Sequence, residues 1–204
     1  MAEAVSPDKI FDTAAGMIER DGVETFTMRG LAEELGVAVT SIYWHVGGRD
    51  KLFDSLADRL LGEMAHLPVE GATPVERIAS LARSQRRALI DRQHLLAIAH
   101  ERDRTPMLFL PIQQRLASML AELGITGTDA ALVLRAVQVQ VISSAVMQFS
   151  AVRGAKHEEE DPLLWDDDWP DQALVQALQS PTDYDAVFEY GLNSLLATLP
   201  GYPI

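Results

Sequence analysis

Residues 27–51, Thr-Met-Arg-Gly-Leu-Ala-Glu-Glu-Leu-Gly-Val-Ala-Val-Thr-Ser-Ile-Tyr-Trp-His-Val-Gly-Gly-Arg-Asp-Lys, constrain the fold more than any other stretch. Leu31, Ala32, Leu35, Val37 and Ile42 give each of two short helices an apolar stripe, and Ala32 is small enough for the second helix to cross closely over the first. Gly36 stands four residues after Ala32, where the chain must turn. Helix C-termini often need positive φ, which glycine adopts without a Cβ clash. The spacing predicts a helix-turn-helix, a device for setting one helix into a DNA groove.

The remainder reads as helical nearly throughout, so the expected fold class is all-α. Ser6-Pro7 supplies an N-cap and a first-turn proline, and Ile10, Phe11, Ala14, Ala15 and Ile18 follow at helical spacing. Leu52, Phe53, Leu56, Leu60, Leu61 and Met64 predict a fourth helix that ends at Leu67-Pro68. Thr73-Pro74-Val75-Glu76 is a capping box opening a helix to about Asp91. Arg92 to Arg104 is polar, Pro106 and Pro111 punctuate a short connection, and Ile112 to Leu123 resumes the helical period. A long helix is expected over 128–152 and a last one over 182–199, with Thr182 as its cap. Between them, 154–171 sets eight acids against Lys156, a pattern of a solvated loop, although Trp165 and Trp169 suit a loop that docks.

Charge bears on the DNA reading. The chain has 17 basic and 30 acidic residues, a net charge of −13. Residues 1–66 alone hold six basic and twelve acidic side chains, where a DNA reader is expected to show a basic footprint. Binding must then depend on local placement, with few phosphate contacts, each contributing a salt slope of about −0.9. Cysteine is absent, which excludes disulfides and thiolate zinc sites. Met1 to Val5 lacks the pattern of a secretory signal, so a cytoplasmic location is expected. The apolar stretch 130–152 is interrupted by Arg135, Gln138, Gln140, Ser143, Ser144 and Gln148, a poor fit to a bilayer, and no membrane partner is expected.

From Gly36 to Lys51 the chain resembles the tetracycline-repressor family (TetR/AcrR), in the aromatic run Tyr43-Trp44-His45 and the basic Arg49 and Lys51 that follow. Pro7–Asp21, the Gly22–Thr27 connection and Phe188-Glu189-Tyr190-Gly191-Leu192 also look like this family. The resemblance implies a helix-turn-helix DNA-binding domain at 1–51, a linking helix at 52–67, and a ligand-binding and dimerisation domain at 68–204. It places Val39, Thr40 and Ser41 on base edges, and Thr27, Arg29, Tyr43, Trp44, His45, Arg49 and Lys51 on phosphates. Packing between helices stays open for Trp44, as does plain solvation for Lys51. Val39 departs from the polar residue of the tetracycline-repressor branch and Gly47-Gly48 from its usual lysine and asparagine, so operator sequence is not inherited from that branch.

The same resemblance implies a ligand-responsive transcriptional regulator, a repressor, that binds a palindromic double-stranded operator as a homodimer through helices 128–152 and 182–199. Gly191 in mid-helix fits close approach at that interface. A small hydrophobic effector in an apolar tunnel would shift helix four and respace the reading helices. Leu60, Met64, His100, Met107, Gln138, Gln140, Met147 and Phe149 are the candidate wall, since methionine and aromatic side chains adapt and a few polar groups orient a ligand. No metal or other cofactor is expected, because the neighbours of His100 do not match a metal site. No phosphate loop or catalytic constellation occurs, so the chain is not expected to be an enzyme. The rival is a helical protein-interaction module without specific DNA binding.

Overall fold

The computed structural model describes residues 5–154 and 170–201, and helices and turns account for the regular structure among them. Helix α1 (Pro7–Asp21) starts where the Ser6 hydroxyl accepts the Lys9 N–H at 3.3 Å, and its stripe Ile10, Ala14 and Ile18 is wholly buried. A single turn at Val23–Thr25 leads to α2 (Met28–Leu35), whose cap is the Thr27 hydroxyl accepting the Gly30 N–H at 3.0 Å. Gly36 then adopts φ 67° and ψ 31°. Val37 N–H reaches the Ala32 carbonyl at 3.0 Å and Gly36 N–H the Glu33 carbonyl at 3.2 Å, the paired closure that a left-handed residue allows. Helices α3 (Val39–Val46) and α4 (Arg49–Ala65) follow.

Leu31, Ala32, Ile42, Val46, Leu52, Phe53, Leu56 and Ala57 close a core under α1, and every buried side chain described in α1 to α4 is apolar. Beyond it lie α5 (Pro74–Asp91), α6 (Gln93–Glu101), α7 (Thr105–Glu122), α8 (Gly127–Gly154), α9 (Gln172–Gln179) and α10 (Tyr184–Leu196). Helix α5 packs on α7, α8 and α10, while α4 packs on α6 and α7, so one apolar core continues from Val5 to Leu199. Thr73 and Glu76 form the expected capping box at α5, where the two backbone N–H groups hold the Glu76 carboxyl below its ordinary pKa.

Three stretches differ from the sequence reading. The polar segment after Arg92 is a helix, because Leu95, Ile98 and Ala99 share one buried face and the polar residues serve as anchors. Helix α7 begins at Thr105 and runs through Pro111, since Leu108, Ile112, Leu116, Met119 and Leu120 bury a continuous stripe. The proline removes only the bond to the carbonyl of Met107, a half-exposed residue. Helix α9 was not anticipated: the Asp171 carboxylate caps it by accepting the Leu174 N–H at 3.0 Å. Asp183, not Thr182, caps α10. Trp165, Trp169 and most of the acidic run lie outside the described residues.

Helix α6 is fastened to the amino-terminal helices at both ends. At its start the Glu19 carboxylate of α1 accepts the Leu95 N–H at 3.0 Å and the His94 N–H at 3.4 Å. Burial raises the Glu19 pKa in spite of these two amides. At its end Arg102 donates to Asp50 at 2.7 Å and to Asp54 at 3.0 Å, both on α4. Burial opposes the Arg102 charge, but the two carboxylates outweigh it and raise its pKa.

Candidate nucleic-acid interface and ligand cavity

Helix α3 buries Ile42 and Val46 and turns Thr40, Tyr43 and Trp44 outward along one line. Trp44 is 82 % exposed, so it does not pack between helices. Its ring meets the partly buried His45 edge-on at 4.8 Å. Ser41 is partly exposed. Val39 is turned partly into the core, because it falls three residues before Ile42 and seven before Val46. The expected base-reading trio is therefore uneven, with Thr40 the most outward member.

The residues expected to face phosphates surround this line. Thr27 caps α2 and is exposed. Helix N-termini present free N–H groups that suit an anion. Arg29 is exposed and paired to Glu33 at 2.9 Å, an interaction of at most about 1 kcal/mol that a phosphate can displace. Arg49 is exposed; its guanidinium donates to the Val23 carbonyl at 3.2 Å and lies 4.8 Å above the Phe53 ring. Lys51 is exposed, and its stem crosses Gly47, where a Cβ would stand 2.7 Å from Lys51 Cδ. Gly47 has φ 73°, a conformation that favours glycine, whereas the exposed Lys51 side chain could move aside for a Cβ. Arg102 pairs with both Asp50 and Asp54 beside this edge and offsets part of their negative charge there.

An open groove of about 1190 Å3 lies along α4, α5 and α10. Leu60 and Met64 border it, with Val75, Arg86 and Phe188. The other six expected wall residues are elsewhere. His100 is exposed, its Nδ1 3.2 Å from the Thr105 hydroxyl, and Met107 and Met147 are more than half exposed or close to it, on the outer faces of their helices. Phe149 is partly buried against the core, and Gln140 donates to the Phe188 carbonyl at 3.3 Å. Gln138 is buried between α7 and α8, accepting from Gln113 at 3.1 Å. Methionine exposure depends on which face of a helix meets a neighbour, which composition does not encode.

Sequence reasoning missed two groups on α5. Arg86 is buried yet fully engaged, donating to the Ser144 hydroxyl at 2.9 Å, Gln148 Oε1 at 2.6 Å and the Asp185 carboxylate at 2.5 Å, with its guanidinium 4.8 Å over Phe188. Gln85 is wholly buried and neither amide atom has a protein partner. Each unmet group costs about 1–3 kcal/mol. The signal was available: Ile78, Leu81, Ala82, Gln85 and Leu89 make one stripe with a single polar member. Gly191 also has a close neighbour within the chain. Its absent Cβ leaves room for Gln140 of the same chain, whose Nε2 would stand 2.2 Å away. Among the described residues no cluster of three or more His, Asp or Glu could hold a metal ion.

A family model described as bacterial regulatory proteins of the tetR family matches residues 10–56, and one described as a tetracyclin repressor-like C-terminal domain matches residues 67–200. The chain belongs to the tetR family. Among relatives of this tetR-family protein, an HTH-type transcriptional regulator from Saccharopolyspora erythraea is 32 % identical over 157 residues, covering 76 % of this chain. The chain spans 64 % of that relative's length. Apo ActR from Streptomyces coelicolor superposes with a TM-score of 0.63 at 28 % identity, covering 99 % of this chain and 98 % of ActR. ActR in complex with actinorhodin superposes with a TM-score of 0.60 at 26 % identity, covering 99 % of this chain and all of that one.

Proposed function

We propose that this tetR-family chain is a transcriptional repressor that binds a palindromic operator as a homodimer and leaves it when a small, largely apolar effector binds. Residues 1–51 act as the DNA-binding domain, 52–67 as the linking helix, and 68–204 as the ligand-binding and dimerisation domain. The carrying observation is the outward line Thr40, Tyr43 and Trp44 on α3, held between two glycine-bounded ends and flanked by Arg29 and Lys51. Thr40 and Ser41 read base edges, while Thr27, Arg29, Tyr43, His45 and Lys51 position the helix on phosphates. Trp44 adds an aromatic face, and Arg49 acts by fixing the start of α4.

Dimerisation is supported by apolar side chains left uncovered on α8 and α10. Leu132, Val139 and Val146 recur every seven residues on α8, each more than half exposed, and Val187 and Tyr190 extend the patch on α10. By length and composition Gly127–Ala151 could also cross a membrane, with mean hydropathy 1.6. Arg135, Gln138, Gln140, Ser143, Ser144 and Gln148 on the same helix favour a second protein copy over lipid. Two recognition helices then meet half-sites about 34–36 Å apart.

The groove beside Leu60 and Met64 lies against the carboxy-terminal half of the helix whose first turn carries Lys51. An effector seated there displaces α4 and alters the spacing of the reading helices. The complex of ActR with actinorhodin supports a small-molecule effector. Selection of bound sequences from random DNA, repeated with candidate ligands, tests the whole reading. A palindrome lost on ligand addition is expected; recovery of no preferred sequence overturns it in favour of a protein-interaction module. Sedimentation as a monomer at micromolar concentration overturns the dimer.

A further inference from the structure

The joint between α1 and α6 turns on one carboxylate. Helix α6 has no side-chain cap of its own, because the residue at its N-cap is Arg92. The cap comes instead from α1, where Glu19 accepts the Leu95 N–H at 3.0 Å and the His94 N–H at 3.4 Å across seventy-six and seventy-five positions of chain. Helix caps ordinarily come from the residue just before the first turn, so this one exists only while α1 is seated on α6.

Seating buries the carboxylate. Glu19 is partly buried and Leu95 fully so, and the His94 ring lies over the turn that ends α1, where a Cβ on Gly22 would stand 4.0 Å from its Cε1. A carboxylate loses water when such a joint closes and recovers it when the joint opens.

Two amides and two cations offset part of that loss. Arg92 and His94 are the charges that bear on Glu19, and Arg92 is shared with Glu63 of α4 at 3.2 Å. Other charged groups packed around α1 are engaged elsewhere. Arg20, next in sequence, holds Asp21 and Glu34 of α2, Arg29 and Glu33 of α2 pair with each other, and Arg59 of α4 grips Asp8 and Asp12 farther back along α1. His45 of α3 meets Trp44, and Glu24 in the turn after α1 is exposed. Burial outweighs the amides and the cations, so the closed joint favours the protonated carboxyl, whose carbonyl oxygen still accepts an amide N–H.

Linkage sets the direction. A state that binds the proton more tightly is favoured as pH falls and loses that advantage as pH rises through its raised pKa. Two recognition helices must meet half-sites at fixed spacing, and a reading head that swings loses freedom on docking, which weakens binding.

We propose that the joint is proton-linked: Glu19 takes up a proton as α1 seats on α6, so acid holds the reading helices in register and rising pH loosens them. The device rests on the DNA-binding part of the proposed function and adds the proton as its signal.

The Leu95 amide proton shift of the isotope-labelled full-length protein, followed by NMR from about pH 8 to about pH 5, reports the carboxyl directly. A titration step above the ordinary glutamate value of about 4.3 is expected. It is absent in Glu19→Gln and moves to higher pH in His94→Gln, which removes a neighbouring cation. The affinity for an operator selected from random DNA is measured over the same range. Glu19→Gln, uncharged at every pH, should bind at least about three-fold more tightly than the wild type at the alkaline end, and this ratio should fall as Leu95 titrates. The general gain of cationic charge in acid is common to both proteins and cancels. Absence of the Leu95 step in the wild type overturns the joint and needs no variant to fold. A Leu95 step with a constant or inverted affinity ratio overturns the control of DNA binding and leaves the repressor. A Leu95 step in a protein that binds no operator removes the DNA reading and leaves the proton-linked joint.

Discussion

Helices α1 to α4 and helices α5 to α10 handle polar groups in opposite ways. The first set buries only apolar side chains, and its candidate chemistry stands outside on Thr40, Tyr43, Trp44 and Lys51. The second set buries Gln85, Arg86, Gln138 and Ser144 inside its core. Within that set the contrast sharpens between neighbours, since Arg86 is held by three side chains and Gln85 by none. A surface reader can tolerate substitution without unfolding, whereas an interior polar group cannot be changed without touching stability.

The largest expected effect comes from Arg86→Ala. Loss of its charged hydrogen bonds should cost about 3 kcal/mol of unfolding free energy, read by denaturant titration. An effect under about 1 kcal/mol would erase the distinction between the partnered and unpartnered neighbours. Next in size, Thr40→Ala combined with Tyr43→Ala should weaken operator binding about thirty-fold, or about 2 kcal/mol, with an unchanged melting temperature. A matching fall in stability would mean that the reading face is part of the core after all. Lys51→Ala should reduce the slope of log affinity against log salt by about 0.9, which tests whether the few basic side chains each neutralise one phosphate.

The smallest effect concerns pH. Arg83 donates to both Glu189 oxygens at 2.7 Å, and this bonding lowers the Glu189 pKa against the opposing burial. A depressed carboxylate contributes stability above its unfolded pKa and loses it as pH falls through its folded pKa. The α5–α10 contact should therefore weaken in acid below the usual glutamate range. Glu189→Gln should flatten that part of the stability profile, leaving a difference of at most about 1 kcal/mol at neutral pH after solvent screening.

Legibility followed the range of the contacts. Ser6, Thr27 and Gly36 cap through neighbours within five residues, so their roles were readable from spacing alone. Helix α6 was hidden because Arg102 and the residues around it look like loop chemistry until Asp50 and Asp54, about fifty positions earlier, are brought beside them. Gly191 stood out from the sequence, but its neighbour within the chain did not, since Gln140 lies fifty-one positions away. His100, Met107 and Met147 lie on exposed faces away from the groove for the same reason: residue type suits a cavity, but only packing decides which face looks inward. Gln85 was the converse, a polar residue in an apolar stripe that periodicity alone exposes.

The length of α3 has a consequence of its own. Eight residues make little more than two turns, below the roughly 12–15 at which an isolated helix holds together in water. The outward line of Thr40, Tyr43 and Trp44 exists only while Ile42 and Val46 remain docked. Local melting of this one hairpin of helices therefore erases the reading surface without global denaturation, and warming should silence DNA recognition before circular dichroism registers any loss of the larger helical body.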